Sequence, residues 1–103
     1  ALPQPPTAVF CISDDLAAGV CHTLCHHGLQ PGKDMDVVGF DNTPISRVFV
    51  PAITTVSQPR RELGIKAMEK LLQRMEGVPC QKETIYLPHR LMQRESTGFL
   101  TEE

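Results

Sequence analysis

Apolar residues in this chain fall into short runs that alternate with helix-like spacings. Residues 8–12 (AVFCI) and 35–40 (MDVVGF) each have the length of a strand buried in a parallel sheet. Between these runs, apolar residues recur every three or four positions, which predicts an amphipathic helix. Its apolar positions are Leu16, Ala17, Val20, Cys21, Leu24 and Cys25. The three elements predict one βαβ unit with a right-handed crossover.

Polar residues and glycine mark the two ends of this first helix. Ser13, Asp14 and Asp15 carry oxygens that can cap its amino terminus, and Asp14 is expected to be the cap. Gly28 is expected at the carboxyl-terminal cap, because glycine adopts a left-handed backbone without strain. The sequence QPGK at 30–33 is typical of a turn that leads into the next strand.

Downstream of Asp41 the pattern predicts a loop, a short strand and a second helix. The strand is 53–56 (ITTV), which is rich in β-branched residues. Pro59 is tolerated in the first turn of the helix, and Gly77 is expected to end it. The apolar stripe of this helix consists of Leu63, Ala67, Leu71 and Met75, widened by Ile65, Met68 and Leu72.

Two further strands complete the predicted architecture. They cover residues 82–87 (KETIYL), where apolar and polar residues alternate, and, with a weaker pattern, residues 91–97 (LMQREST). Strands that alternate with helices indicate an α/β fold with a mainly parallel sheet flanked by helices.

Length and charge narrow the class of protein. A chain of 103 residues is one domain or less. Its net charge is −2, and it has no run of like charge of the kind that binds nucleic acid, so it is not expected to contact DNA itself. No stretch approaches the roughly 20 apolar residues of a membrane span, and no signal peptide is expected. The proline-rich residues 1–6 are expected to form a linker.

The cysteines and histidines could in principle form a metal or catalytic site. Four cysteines lie in apolar settings: Cys11, Cys21, Cys25 and Cys80. This setting predicts reduced, buried thiols and a cytoplasmic protein. His22 and His26 share a helical face that points away from the cysteines, so a solvated histidine face is favoured over a zinc site. A Cys–His dyad stays open, but no orienting carboxylate can be placed beside one. The sequence therefore predicts neither a metal nor a cofactor.

Asp41 lies just past the end of a predicted strand, where open α/β sheets hold their ligands. Its segment, VVGFDN at 37–42, belongs to an ordered series with AVFC at 8–11, SDDLAAG at 13–19, GLQPGKD at 28–34 and PAITTV at 51–56. This series resembles the carboxyl-terminal part of the lactose/galactose repressor family over residues 7–98. The resemblance implies a parallel-sheet fragment of a two-lobed core, similar to periplasmic binding proteins of type I.

The resemblance also implies roles for three polar residues. Asp41 would accept hydrogen bonds from ligand hydroxyl or ring N–H groups, although a strand-end Asp without that resemblance more often binds backbone amides. Ser13 stands where several family members use Asn to contact the ligand. Gln58 stands near the hinge of the cleft and would reach the ligand, with a solvated side chain as the alternative.

The family's quaternary structure adds a second set of expectations. Ala18 and Phe49 match positions that face the partner subunit of a homodimer, where a two-fold contact would pair the same patch from each chain. Otherwise Ala18 would be core and Phe49 a scattered surface aromatic. The implied domain plan is a linker at 1–6, a partial effector-binding and dimerisation domain at 7–98, and a tail at 99–103.

The sequence thus predicts part of a transcriptional regulator rather than an enzyme. Its effector would be a sugar, a sugar acid or a nucleoside-like molecule, and DNA would be bound only by a helix-turn-helix domain that this chain lacks. Two alternatives stay open: a periplasmic sugar-binding protein of a transport system, and a small α/β enzyme.

Overall fold

The fold is given by a computed structural model that describes residues 3–79 and 84–98. In chain order the elements of these residues are β1 (Ala8–Phe10), α1 (Asp14–His26), β2 (Asp36–Val38), α2 (Pro44–Val48), β3 (Thr55–Ser57), α3 (Arg60–Met75) and β4 (Arg90–Met92). They divide into two compact units. Of the described residues, the first unit contains those up to Ser57 and those from Arg90 onward, and the second contains those of Gln58–His89.

The strands of the first unit confirm the predicted βαβ arrangement. β1 and β2 are parallel, with Val9 opposite Val37, and α1 connects them. β3 lies beyond β2, joined to it by a parallel bridge between Val38 and Thr54. β4 is antiparallel to β3. The result is an α/β fragment with parallel strands, as predicted, and with an antiparallel strand at one side.

The core of the first unit lies where α1 covers one face of these strands. Its buried apolar residues are Cys11, Ala17, Ala18, Cys21, Val37 and Ile53. Val37 and Ile53 are fully buried, which stabilises the unit by about 1.5–3 kcal/mol for each side chain. Buried Ser96 ties the two strand pairs together, because its hydroxyl donates to Val37 O at 2.6 Å and accepts from Thr54 N at 2.8 Å.

The prediction that residues 8–12 form a buried strand was wrong in extent and in burial. β1 ends at Phe10, and successive side chains point to opposite faces. Cys11 is buried under α1, whereas Phe10 is 64% exposed and Ile12 is 81% exposed. The buried cluster that contains Cys11 also contains Ala17 and Cys21 of α1, so α1 covers the Cys11 face. The other strands are also shorter than predicted or displaced, since β2 covers Asp36–Val38 and β3 covers Thr55–Ser57.

Helix α2 was missed, because the sequence predicts a loop there. Its five residues are too few to show a helical periodicity. Pro44 at the first helical position was the available signal.

The cap of α1 was also assigned to the wrong residue. Ser13 is the N-cap and its Oγ accepts from Leu16 N at 3.2 Å, while Asp14 is the first helical residue.

In the second unit, α3 begins after Pro59 and ends before Gly77, as predicted. Gly77 has φ +77°, a left-handed backbone conformation that residues with a side chain rarely adopt. The apolar stripe is not buried: α3 has no buried residue, and Leu63 and Met75 are 41% and 74% exposed. Of the predicted strand at 82–87, residues 82–83 lie outside the described residues and 84–87 are not a strand.

Several smaller expectations also have outcomes. The strand predicted at 91–97 is β4, which covers Arg90–Met92, so the chain around Ser96 is irregular. Cys25 is exposed rather than buried, because Leu24 is the residue of the last turn of α1 that packs against the core. Cys80 and the tail at 99–103 lie outside the described residues. Over the described chain, no helix is both long enough and apolar enough to cross a membrane.

Candidate ligand site at the carboxyl end of β2

Asp41 lies in the loop that follows β2, at the edge of the sheet where the sequence places the ligand. Its backbone N–H donates to Val56 O at 2.9 Å, and it is half-buried. Asp41 has φ 103° and Asn42 has φ 55°, both in the region that favours glycine. Such a residue costs about 1–3 kcal/mol and persists only when its surroundings hold it. Two in succession therefore mark a loop whose shape is imposed by its contacts.

Asn42 carries most of the contacts that impose this shape. Its backbone N–H donates to Thr55 Oγ1 at 3.2 Å, and its Nδ2 donates to Ser57 Oγ at 3.4 Å. Its Oδ1 accepts from Arg94 Nη2 at 2.8 Å and from Ser46 Oγ at 3.3 Å. The amide of Asn42 therefore links the loop to β3, to α2 and to the segment after β4.

Asp14 holds the other end of the loop against α1. Its side chain is fully buried, and its Oδ2 accepts from Thr43 N at 2.6 Å and from Thr43 Oγ1 at 3.0 Å. Its Oδ1 is buried and has no hydrogen-bond partner within the described chain. Glycine at position 39 lets Asp14 lie close to the backbone just after β2. A Cβ at Gly39 would collide with Asp14 Oδ1 and lie 3.1 Å from Asp14 Cα.

Ser13 lies at the same edge of the sheet as Asp41. The two residues follow β1 and β2, which are parallel neighbours, so their carboxyl ends meet at that edge. Ser13 Oγ accepts from Leu16 N, which leaves the hydroxyl proton to donate elsewhere. Gln58 begins the second unit, where its carbonyl accepts from Arg60 N at 2.8 Å. Its role in ligand binding stays a prediction.

The two predicted interface residues, Ala18 and Phe49, differ in their exposure to solvent. Ala18 is 5% exposed and belongs to the core, and Phe49 is half-buried and packs against that core. The neighbouring face of α1 is more open, because Leu16 is 53% exposed. A shallow apolar groove of about 500 Å³ runs along this face and is lined by Asp15, Leu16, Gly19, Val20, Thr23 and Leu24. The dimer interface stays a prediction.

The histidines and cysteines of α1 do not form a metal cluster. His22 and His26 stack with ring centroids 5.7 Å apart, and the described residues contain no group of three or more potential ligands. Burial, and to a lesser degree Cys25 and Cys11 nearby, raises the pKa of the Cys21 thiol to about 11. Burial also raises the pKa of Cys11. These thiols are therefore protonated at neutral pH and are weak nucleophiles.

The sequence did not predict that four residues would shape the loop that carries Asp41. They are Asp14, Thr43, Ser46 and Arg94. Asp14 was singled out, but as a helix cap. Thr43 is the N-cap of the helix that was missed, and Ser46 lies within that helix. Arg94 lies 52 residues from Asn42, and no local pattern relates residues that far apart.

This chain belongs to the periplasmic-binding-protein-like domain family, whose pattern matches residues 1–97. The relatives it resembles are transcriptional repressors, which confirms the resemblance to the lactose/galactose repressor family. It is 46% identical to the HTH-type transcriptional repressor CytR of Escherichia coli over 96% of this chain and 29% of the relative. It is 35% identical to the HTH-type transcriptional repressor PurR of Vibrio cholerae over 98% of this chain and 30% of the relative.

Solved structures lead to the same family. The lac repressor dimer bound to operator and an anti-inducer superposes with a TM-score of 0.81 at 34% identity, over 90% of this chain and 32% of that one. A putative LacI transcriptional regulator from Bacillus cereus gives 0.85 at 32% identity, over 92% of this chain and 34% of that one. The chain therefore spans about 30% of the length of its curated relatives.

Proposed function

We propose that this chain is the effector-binding and dimerisation part of a cytoplasmic transcriptional regulator. The regulator would bind DNA through a helix-turn-helix domain elsewhere in the protein. The observation that carries the proposal is Asp41, held in a strained conformation just past the carboxyl end of β2, in a fold that superposes on the lac repressor. The similarity to curated repressors supports a regulator over a transport protein or an enzyme.

The ligand would be a small polar molecule such as a sugar, a sugar acid or a nucleoside-like compound. The carboxylate of Asp41 would accept hydrogen bonds from its hydroxyl or ring N–H groups, and charged acceptors make the stronger bonds. Ser13 would donate its remaining proton, and Gln58 would also contact the ligand. The loop needs no reorganisation to present Asp41, because Asn42 and Thr43 are already held. Such preorganisation lowers the cost of binding.

Binding would control DNA affinity by shifting a population of conformations. An effector can change that population only through different affinities for the two states. In a homodimer, Phe49 and the exposed face of α1 would meet the same patch of the partner, so the change could pass to paired DNA-binding domains. No catalytic step is part of this function.

A ligand screen on the full-length protein tests the proposal. Thermal shift with D-galactose, D-ribose, gluconate, adenosine and cytidine should identify at least one compound that raises Tm, because a ligand of the folded state stabilises it. Binding to an operator fragment should then change when that compound is added. A protein that binds none of the five compounds, or whose DNA affinity ignores the one it binds, would contradict the proposal.

A further inference from the structure

Arg94 forms hydrogen bonds to several segments around the loop that carries Asp41. Its guanidinium donates to Asn42 Oδ1 at 2.8 Å, to Ser46 Oγ at 2.9 Å and to Ile53 O at 3.0 Å. These acceptors belong to the loop, to α2 and to the chain that leads into β3. One side chain therefore fixes three segments relative to one another.

The backbone of Arg94 is itself fixed, so its side chain starts from a defined position. Thr54 Oγ1 accepts from Arg94 N at 2.7 Å and lies 3.1 Å from Arg94 O. Thr54 is 2% exposed, and the hydroxyl of buried Ser96 accepts from its N–H. Arg94 is half-buried, which restricts the alternative positions open to its side chain. Arg94 is therefore built into the sheet rather than resting on its surface.

We propose that Arg94 is a positioning residue of the ligand site. It holds Asn42, and through Asn42 the left-handed backbone of Asp41, in the conformation that binds ligand before ligand arrives. This inference rests on the proposed function, because it assumes that Asp41 contacts the effector. Without Arg94 the two residues with positive φ relax toward ordinary conformations, and only a fraction of the molecules is ready to bind. Apparent affinity falls in proportion to that fraction.

The role requires arginine specifically. A guanidinium is planar and directs several N–H groups at fixed angles, whereas a lysine ammonium is a single point of charge. Lysine at position 94 keeps the charge but cannot reach Asn42, Ser46 and Ile53 at once. Arg94→Lys therefore separates geometry from charge. Arg90→Lys is the matched control, since Arg90 lies on β4 with an exposed side chain.

The experiment uses the full-length protein and the compound of the five-member panel that binds it. We expect Arg94→Lys to raise Kd about tenfold to a hundredfold, which corresponds to the loss of one hydrogen bond to a charged group. Arg90→Lys should leave Kd unchanged. In the ligand-free protein, the backbone and side-chain amide resonances of Asn42 should move in Arg94→Lys and not in Arg90→Lys.

Chemical rescue separates positioning from a general loss of structure. Arg94→Ala should bind weakly, and millimolar guanidinium should restore part of its affinity, while the same concentration of urea should not. Failure of guanidinium to restore affinity would overturn the proposal, and so would an unchanged Kd in Arg94→Lys. If Asp41→Asn also leaves Kd unchanged, the proposed function is itself wrong. If Asp41→Asn weakens binding and the Arg94 variants do not, only the positioning role fails.

Discussion

The carboxylate of Asp14 accepts two hydrogen bonds from Thr43, one from its backbone N–H at 2.6 Å and one from its hydroxyl at 3.0 Å. Asp14 is the first residue of α1, next to Ser13, and Thr43 comes two residues after Asp41. This buried contact therefore sets the separation of the two residues proposed to bind ligand from adjacent strands. It also makes the start of α1 part of the proposed ligand site.

Removing the carboxylate of Asp14 should destabilise the first unit. Asp14→Ala is expected to lower the free energy of unfolding of the full-length protein by about 3 kcal/mol, because hydrogen bonds to a charged group are worth about 1.5–3 kcal/mol each. Urea denaturation measures the change. Asp15→Ala is the control, since Asp15 is exposed and should change stability by about 0.5 kcal/mol or less. Equal effects of the two substitutions would mean that the Thr43 contact contributes nothing.

Glycine should be required at position 39. Gly39→Ala places a methyl group against Asp14 Oδ1 and 3.3 Å from Ala17 Cβ, and overpacking of this kind costs about 1–3 kcal/mol. Gly19→Ala is the matched control, because no atom lies within 4 Å of its added Cβ. It should stabilise α1 by about 0.5–1 kcal/mol, since alanine favours the helix. A thermal melt in which Gly39→Ala is as stable as Gly19→Ala would refute the close approach of α1 to β2.

Neutralising Asp41 should weaken effector binding without unfolding the protein. Asp41→Asn keeps the shape of the side chain but removes the charge, so affinity should fall by about 1.5–3 kcal/mol. Calorimetry with the compound identified in the screen measures this loss. Asp15→Asn removes a charge at an exposed position and should leave the affinity unchanged. An unaltered affinity for Asp41→Asn would remove Asp41 from the site.

A charge at position 49 should oppose self-association. Phe49→Asp would place one carboxylate from each subunit in the proposed two-fold contact. The two carboxylates would lose hydration and repel each other. Sedimentation of the full-length protein should then show a shift toward monomer. Tyr86→Asp is the control, because Tyr86 is 90% exposed and lies in the second unit. A dimer that survives Phe49→Asp would contradict the interface.

The two cysteines of α1 should react at different rates. Burial raises the pKa of Cys21 to about 11 from its usual 9.0, so its reactive thiolate is scarce until the pH approaches that value. Cys25 is exposed and should be alkylated first by iodoacetamide at pH 8. Folded Cys21 holds its proton more tightly than unfolded Cys21, so its contribution to stability is present below pH 9 and declines above it. Peptide mapping gives the order of labelling, and equal labelling of Cys21 would contradict its burial.

Local periodicity was enough to predict the βαβ unit, the two long helices and the edge of the sheet at which Ser13 and Asp41 lie. Helix α1 and helix α3 each show apolar residues three or four positions apart over several turns, and this signal needs no knowledge of the fold. Asp41 could be located because a strand-like run ends just before it. What the sequence determined is therefore the order of the elements and the edge at which their polar ends meet.

The shape of the loop that carries Asp41 was decided by tertiary structure. Its backbone is held by Arg94 and by Asp14, which lie far from it along the chain, and such contacts leave no periodic trace. Burial was decided in the same way: Cys21 and Cys25 look equivalent on a helical repeat, yet only Cys21 lies under a neighbouring element. Periodicity specifies which residues share a face of a helix or strand. Only packing specifies which part of that face is covered and which distant side chain fixes a strained backbone.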